Sequence, residues 1–245
     1  MACYPCRVAS SKTAASRVDA VARQVREGIF QGVYPPGSPL RELELARRLK
    51  VSQGTVREAL RGLEHAGLLS KEVNRGSTVT RLTPKDIRER VTLRALLETV
   101  AAQQAAELMT ETDFAEIEKR LAALDTAVRS DKYYDAAQAD LEFHRYIWRC
   151  SGNETLCKML DLITVPLFAF ISILRSQGLQ RLVTVVDAHE PLIASLRSRD
   201  RAVIQSAFET GAVGSYRNFL GEGDDRAIAA ALGLVETSGV RFPAQ

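Results

Sequence analysis

The segment 41–69, RELELARRLKVSQGTVREALRGLEHAGLL, limits the fold more than any other part of this 245-residue chain. Leu43, Leu45, Ala46 and Leu49 recur as one helical face, and Val56, Ala59, Leu60 and Leu63 recur as a second. Only Lys50-Val51-Ser52 lies between them, so two short helices must meet at a tight turn. Val51 is placed to plug the angle between the helices, and Ser52 to cap the second one through its hydroxyl. This is the pattern of a helix-turn-helix, whose second helix offers its N-terminal residues to a DNA major groove. Ser52, Gln53, Gly54, Thr55 and Arg57 stand there, all polar or small and none needed by a core.

The flanks extend this unit. Val18, Val21, Val25 and Ile29 predict a helix over about 17–31, ended by the turn-rich stretch 32–37. After Gly67, residues 68–73 and 77–80 read as two short strands around Asn74-Arg75-Gly76, a hairpin with Arg75 at its tip. Such an Arg either reaches the minor groove and phosphates or decorates a solvated turn. Charge favours a nucleic-acid partner for this half only: residues 1–82 hold 14 Lys or Arg against 7 Asp or Glu, whereas residues 83–245 hold 19 against 23.

Four cysteines, Cys3, Cys6, Cys150 and Cys157, are too few and too scattered for a disulfide framework, so a reducing cytoplasm is the expected location. Cys3 and Cys6 have metal-like spacing but lack a neighbouring second pair, and residues 1–16 read as a loose tail. The longest apolar candidate, 162–174, is interrupted by Thr164, Pro166 and Ser172, and no membrane anchoring is expected.

Thr83-Pro84 marks a boundary, because Thr is a good N-cap and Pro suits the first helical position. Beyond it the periodicity is helical throughout. Ile87, Val91, Leu97, Ala101 and Leu108 define a long helix; Phe114, Ile117, Leu121, Leu124 and Val128 define the next; a third spans about 133–150 and breaks at Ser151-Gly152-Asn153. Further segments at 154–177, 179–198, 200–220 and, more weakly, 224–235 complete an antiparallel bundle of six or seven helices. The expected architecture is therefore mainly α: a tail (1–16), a winged helix-turn-helix of three helices and a two-stranded wing (17–82), an all-helical domain (83–235) and a second tail (236–245).

Within the bundle, Asp140 and His144 lie four residues apart on one helix face and can hold one divalent metal. His189 is the natural third ligand among only three histidines. A buried His bonded to a carboxylate would give the same pattern without an ion. Arg94 shares a face with Ile87, Val91, Leu97 and Ala101 and must find an anion, either the carboxylate of an effector or a partner such as Glu98 or Asp140.

The run 40–69, followed by Asn74-Arg75-Gly76-Ser77-Thr78-Val79, resembles the winged helix-turn-helix of the GntR family of bacterial transcription regulators. The resemblance implies a DNA-facing set of Arg41, Ser52, Gln53, Gly54, Thr55, Arg57, Arg75 and Gly76, with Gln53 where the family usually has Arg. Gln pairs with adenine better than with guanine, so an altered base preference is expected. In order and spacing, Arg94-Ala-Leu-Leu-Glu98, Asp140-Leu-Glu-Phe-His144, Ser151-Gly152-Asn153, His189 and the Asp200 segment resemble the FCD ligand-binding domain of the FadR subfamily. That resemblance implies a metal (Zn, Ni or Mn) on Asp140, His144 and His189, and a small carboxylate effector near Arg94 and Asn153. The family's fourth ligand, a His, falls at Gly211, which cannot ligate, so a metal-free polar pocket stands as the other possibility.

Together these features imply a homodimeric regulator, a repressor by expectation, that binds a short pseudo-palindromic operator under control of an organic acid. A metal-dependent hydrolase fused to a winged helix is the alternative. It is disfavoured because no general base stands out beside Asp140, His144 and His189. A purely architectural DNA binder would have no use for the internal polar cluster.

Overall fold

A computed structural model describes residues 17–72, 76–130, 132–177, 187–214 and 216. Val21, Val25, Ile29 and Phe30 form the inner face of α1 (Arg17–Phe30), against which α2 (Glu42–Leu49) and α3 (Gln53–His65) pack. Lys50 ends α2 in the left-handed region, its N–H shared between the Ala46 and Arg47 carbonyls, and this reverses the chain within three residues. Leu45, Ala46 and the partly buried Leu49 face the core as expected, but Leu43 is 52% exposed. At roughly 100° per residue, Leu43 lies about 110° from the centre of the stripe formed by the other three, too far round to be buried.

The wing is a three-stranded antiparallel sheet in the order β1-β3-β2: β1 (Pro39–Leu40), β2 (Leu69–Glu72) and β3 (Gly76–Val79). The two expected strands pair as Leu69 with Val79 through Glu72 with Gly76. The third, Pro39 with Thr78 and Leu40 with Ser77, comes from a stretch too short to show alternation. Arg75, the expected wing tip, lies outside the described residues.

Thr83 caps α4 (Pro84–Leu108): Asp86 N donates to Thr83 Oγ1 at 3.1 Å and Thr83 N donates to Asp86 Oδ2 at 2.8 Å. Then follow α5 (Glu111–Arg129), α6 (Tyr133–Cys150), α7 (Glu154–Ser176), α8 (Glu190–Ser198) and α9 (Arg201–Gly214). Leu108, counted with the buried face of α4, is exposed at that helix's last turn. The expected segment 179–198 begins outside the described residues, which hold its part from 187 onward with α8 from Glu190; the segment 224–235 and both tails, including Cys3 and Cys6, also fall outside.

By length and composition α7 is the one helix among the described residues apolar enough to cross a membrane, yet most of it is buried against the rest of the protein. It packs against α4 and α6 and links them to α1 of the N-terminal unit. One continuous apolar cluster runs from Val21, Leu60 and Leu63 to Leu141, Trp148, Leu160, Val165 and Phe168. Pro166 inside α7 has no N–H, so the Leu162 carbonyl loses its helical donor. Arg90 of α4 supplies one instead, Nη1 donating to Leu162 O at 3.2 Å and Ile163 O at 3.4 Å. Gly67, at φ +72°, closes the far side: a Cβ there would lie 3.0 Å from Leu162 O and 3.2 Å from Pro166 Cγ.

Candidate functional sites

Ser52 caps α3 as its position implies, its hydroxyl accepting from Thr55 N at 3.1 Å and lying 2.8 Å from the Thr55 hydroxyl. Gln53, Gly54 and Arg57 are exposed beside it, and Arg41, the N-cap of α2, is exposed as well. Glu42, which polarity alone does not distinguish from other surface acids, binds both long polar side chains of this face. Arg57 Nη2 and Nε meet its carboxylate at 2.7 and 3.0 Å, and Gln53 Nε2 donates to it at 3.0 Å. Arg57 and Gln53 are thus held together at the start of α3, with Glu42 standing where a nucleic-acid oxygen would compete.

The second site lies inside the bundle. Arg94 is buried and pairs with Glu98 of the same helix, Nε to Oε2 at 3.0 Å. Trp148 Nε1 donates to Glu98 Oε1 at 3.2 Å, and His144 Nδ1 lies 3.1 Å from the same oxygen. On its other side, His144 Nε2 lies 3.2 Å from Arg94 Nη2 and 3.5 Å from Asp140 Oδ1. A guanidinium can only donate, so Nε2 must be the bare nitrogen and the imidazole proton sits on Nδ1, which lies close to Glu98 but makes no hydrogen bond. His189, at the N-cap of α8, places Nε2 3.0 Å from Asp140 Oδ1 and stands edge-on to Phe143 at 4.6 Å.

Burial raises the cost of every charge here, and the partners decide which survive. Burial alone would lift the Glu98 carboxyl, but Arg94 and His144 outweigh it and hold it at about 2. Asp140 is likewise held at about 2 against its burial by His189, His144 and Arg175. Burial pushes the His144 imidazole below its usual value, leaving it neutral, the form that ligates a metal. Burial also pushes the Tyr216 phenol up to about 12, where it faces Arg94, Arg175, Asp140 and Glu98.

Asp140, His144 and His189 are brought together with one ligand atom each within 4.8 Å of the others. The donor types suit a divalent ion, an ionised carboxylate and a neutral imidazole, but the His144 Nε2 lone pair meets Arg94 Nη2 at 3.2 Å, so an ion there would have to displace that guanidinium. Gly211 contributes nothing; a Cβ there would come 3.2 Å from Leu192 Cδ2, so an imidazole at this position would first have to displace Leu192. Asn153 is not drawn into the cluster. Its side-chain oxygen accepts from Leu156 N at 3.0 Å and caps α7, which accounts for the Ser-Gly-Asn break. Glu98, Trp148, Arg175 and Tyr216 complete the cluster. Of these, only Glu98 was signalled by the sequence, through its spacing from Arg94.

Comparison with known proteins decides the family. The model of bacterial regulatory proteins of the gntR family matches residues 17–79, and that of the FCD domain matches residues 89–210. The chain is 30% identical over 191 residues to a probable D-xylose utilization operon transcriptional repressor of Paenarthrobacter nicotinovorans, covering 76% of this chain and 83% of that one. The chain belongs to the GntR family. As a GntR-family protein with an FCD domain it is a DNA-binding transcription regulator, and its relatives are regulators, not enzymes. It is also 25% identical over 205 residues to the gluconate operon transcriptional repressor of Bacillus subtilis, covering 82% of this chain and 83% of that one. The fold is shared with E. coli McbR/YncC, at a TM-score of 0.71 and 22% identity, over 83% of this chain and 97% of that one.

Proposed function

We propose that this GntR-family regulator is a homodimeric repressor whose grip on a short pseudo-palindromic operator is set by a small carboxylate bound inside the FCD domain beside a divalent metal. The buried Asp140, His144 and His189 cluster carries this reading. Three potential ligands and the Arg94–Glu98 ion pair are costly to bury inside a helical bundle, and apolar residues would pack the same space without that cost. Asp140, His144 and His189 would hold the ion, which supplies a Lewis-acidic anchor for an anion. Glu98 orients the His144 ring and Arg94 neutralises Glu98. Ser52, Gln53, Gly54, Thr55 and Arg57 would meet the operator, with Arg41, Arg75 and Gly76 on its flanks. The relative named for the gluconate operon makes a sugar acid a natural effector class.

Light scattering, metal analysis and gel shifts on the purified protein test this. The expected result is a dimer carrying about one divalent ion per chain, with steeply salt-dependent operator binding that a carboxylate weakens. His144→Ala should lose the metal and the effector response while keeping operator affinity. Wild type without metal in any preparation, and without gain on titration with zinc, nickel or manganese, would remove the metal from the reading.

A further inference from the structure

Residues 164, 168, 172 and 175 of α7 follow one another at spacings of four, four and three, and so share one helix face. Phe168 shows where that face points, its ring lying 5.9 Å from His144 and 5.0 Å from the Arg94 guanidinium. Ser172, one turn further on, is fully buried, yet its hydroxyl has no hydrogen-bond partner among the described residues. Arg175 is 4% exposed, and its Nε also lacks a partner there. The charged and titratable groups facing this guanidinium are Asp140 and Tyr216.

A buried polar group left unpaired is expensive, and on this face Thr164, Ser172 and Arg175 each hold one with no partner among the described residues. The two buried arginines also differ. Arg94 already holds a carboxylate, Glu98, at 3.0 Å, so an incoming anion would have to displace it. Arg175 forms no ion pair within 4 Å among the described residues, and the Asp140 carboxylate it faces is bonded to His189. Among the described residues, Arg175 is therefore the buried cation at this site with capacity for an anion. Ser172 stands about 4.5 Å behind it along the helix axis, at 1.5 Å per residue. A hydroxyl on carbon 2 or 3 of an acid can span that step.

We propose that Arg175 and Ser172 form the effector anchor of this protein, and that it takes a hydroxy acid: the guanidinium binds the carboxylate, and the Ser172 hydroxyl bonds a hydroxyl on carbon 2 or 3. This rests on the carboxylate-sensing reading above and deepens it. The metal cluster lies beside the anchor through Asp140, but selection of a hydroxylated acid over a plain one belongs to α7.

Calorimetry on the full-length protein tests the anchor with matched probes: lactate against propanoate, gluconate against hexanoate, and glucitol as the polyol without a carboxylate. Wild type should bind one hydroxy acid at least about tenfold more tightly than its plain counterpart and should not bind glucitol. Arg175→Gln should lose about 100-fold for that acid, Arg175→Lys should recover part of it, and both should keep operator affinity. Ser172→Ala should lose about tenfold for the hydroxy acid only, leaving the plain acid unchanged; a purely structural serine would move both equally. If Arg175→Gln does not fold, the selective loss in Ser172→Ala decides. Arg175→Gln that binds the hydroxy acid as well as wild type overturns the anchor while carboxylate sensing stands. Equal losses for both acids in Ser172→Ala overturn the hydroxyl assignment. Wild type that binds none of the acids overturns both the anchor and carboxylate sensing.

Discussion

Two arginine–carboxylate pairs in this protein have nearly the same geometry and opposite surroundings. Arg57 and Glu42 meet at 2.7 Å on the face of α3, in water; Arg94 and Glu98 meet at 3.0 Å inside the bundle, walled in by Trp148, His144 and Phe168. On the surface, solvent screens the attraction and stands ready to replace either partner, so the pair is easily exchanged. In the bundle no solvent waits, and removing one partner strands the other. The same bond is therefore replaceable on the surface of α3 and fixed inside the FCD domain.

The contrast is broken or sharpened most strongly by Glu98→Ala. It should destabilise the protein by about 3–5 kcal/mol, read as a lowered denaturant midpoint, because Arg94 is left buried and unpaired. A loss no larger than that of an ordinary surface substitution would show that water reaches the cluster.

The pH dependence comes next. Glu98 and Asp140 titrate at about 2 in the folded chain, below the ordinary carboxyl values near 4. Between those limits the unfolded state binds more protons, so the stability they contribute is complete above about pH 4 and drains away as pH falls towards 2. His144 is also depressed, so it adds a loss of stability as pH falls below its ordinary value near 6.5. Denaturation midpoints recorded from pH 7 to 3 should fall in two stages. In His144→Phe the upper stage should vanish; its persistence would assign that stage to another group.

Gln53→Arg should shift the base chosen at one symmetric operator position towards guanine, by about 1–3 kcal/mol for a bidentate contact, in a selection of random sites. An unchanged motif would take Gln53 out of the base-reading set. The smallest effect belongs to Glu42→Gln. It should leave the denaturant midpoint where it is, but raise affinity for random-sequence DNA, because Arg57 no longer has an anion to give up before meeting a phosphate. A clear fall in the midpoint would mean that the surface pair is not the exchangeable one.

Those two pairs also mark what the sequence could and could not disclose. The helix-turn-helix was legible because it is local: apolar spacing, a three-residue turn and a capping Ser52 are written within 25 consecutive residues. Asp140 with His144, and Arg94 with Glu98, were legible for the same reason, each pair being one helical turn apart. Periodicity says which face is buried but not what lies across from it. Hence Arg175, Ser172 and Tyr216 were unmarked, though they stand in or beside the cluster, while Asn153, placed there by likeness alone, spends its oxygen on a helix end. Glu42 was unmarked because an exposed acid carries no signal of the partner it will find fifteen residues on.

Pro166, Arg90 and Gly67 form a joint with consequences for anyone exchanging parts among these regulators. The carbonyl freed by the proline needs the arginine, and the corner after α3 fits over it only without a side chain. A chimera that grafts a foreign DNA-reading unit onto this sensor must bring a residue no larger than glycine at the position of Gly67. Any larger side chain would press on the Leu162 carbonyl and Pro166 and push the two halves apart at their joint.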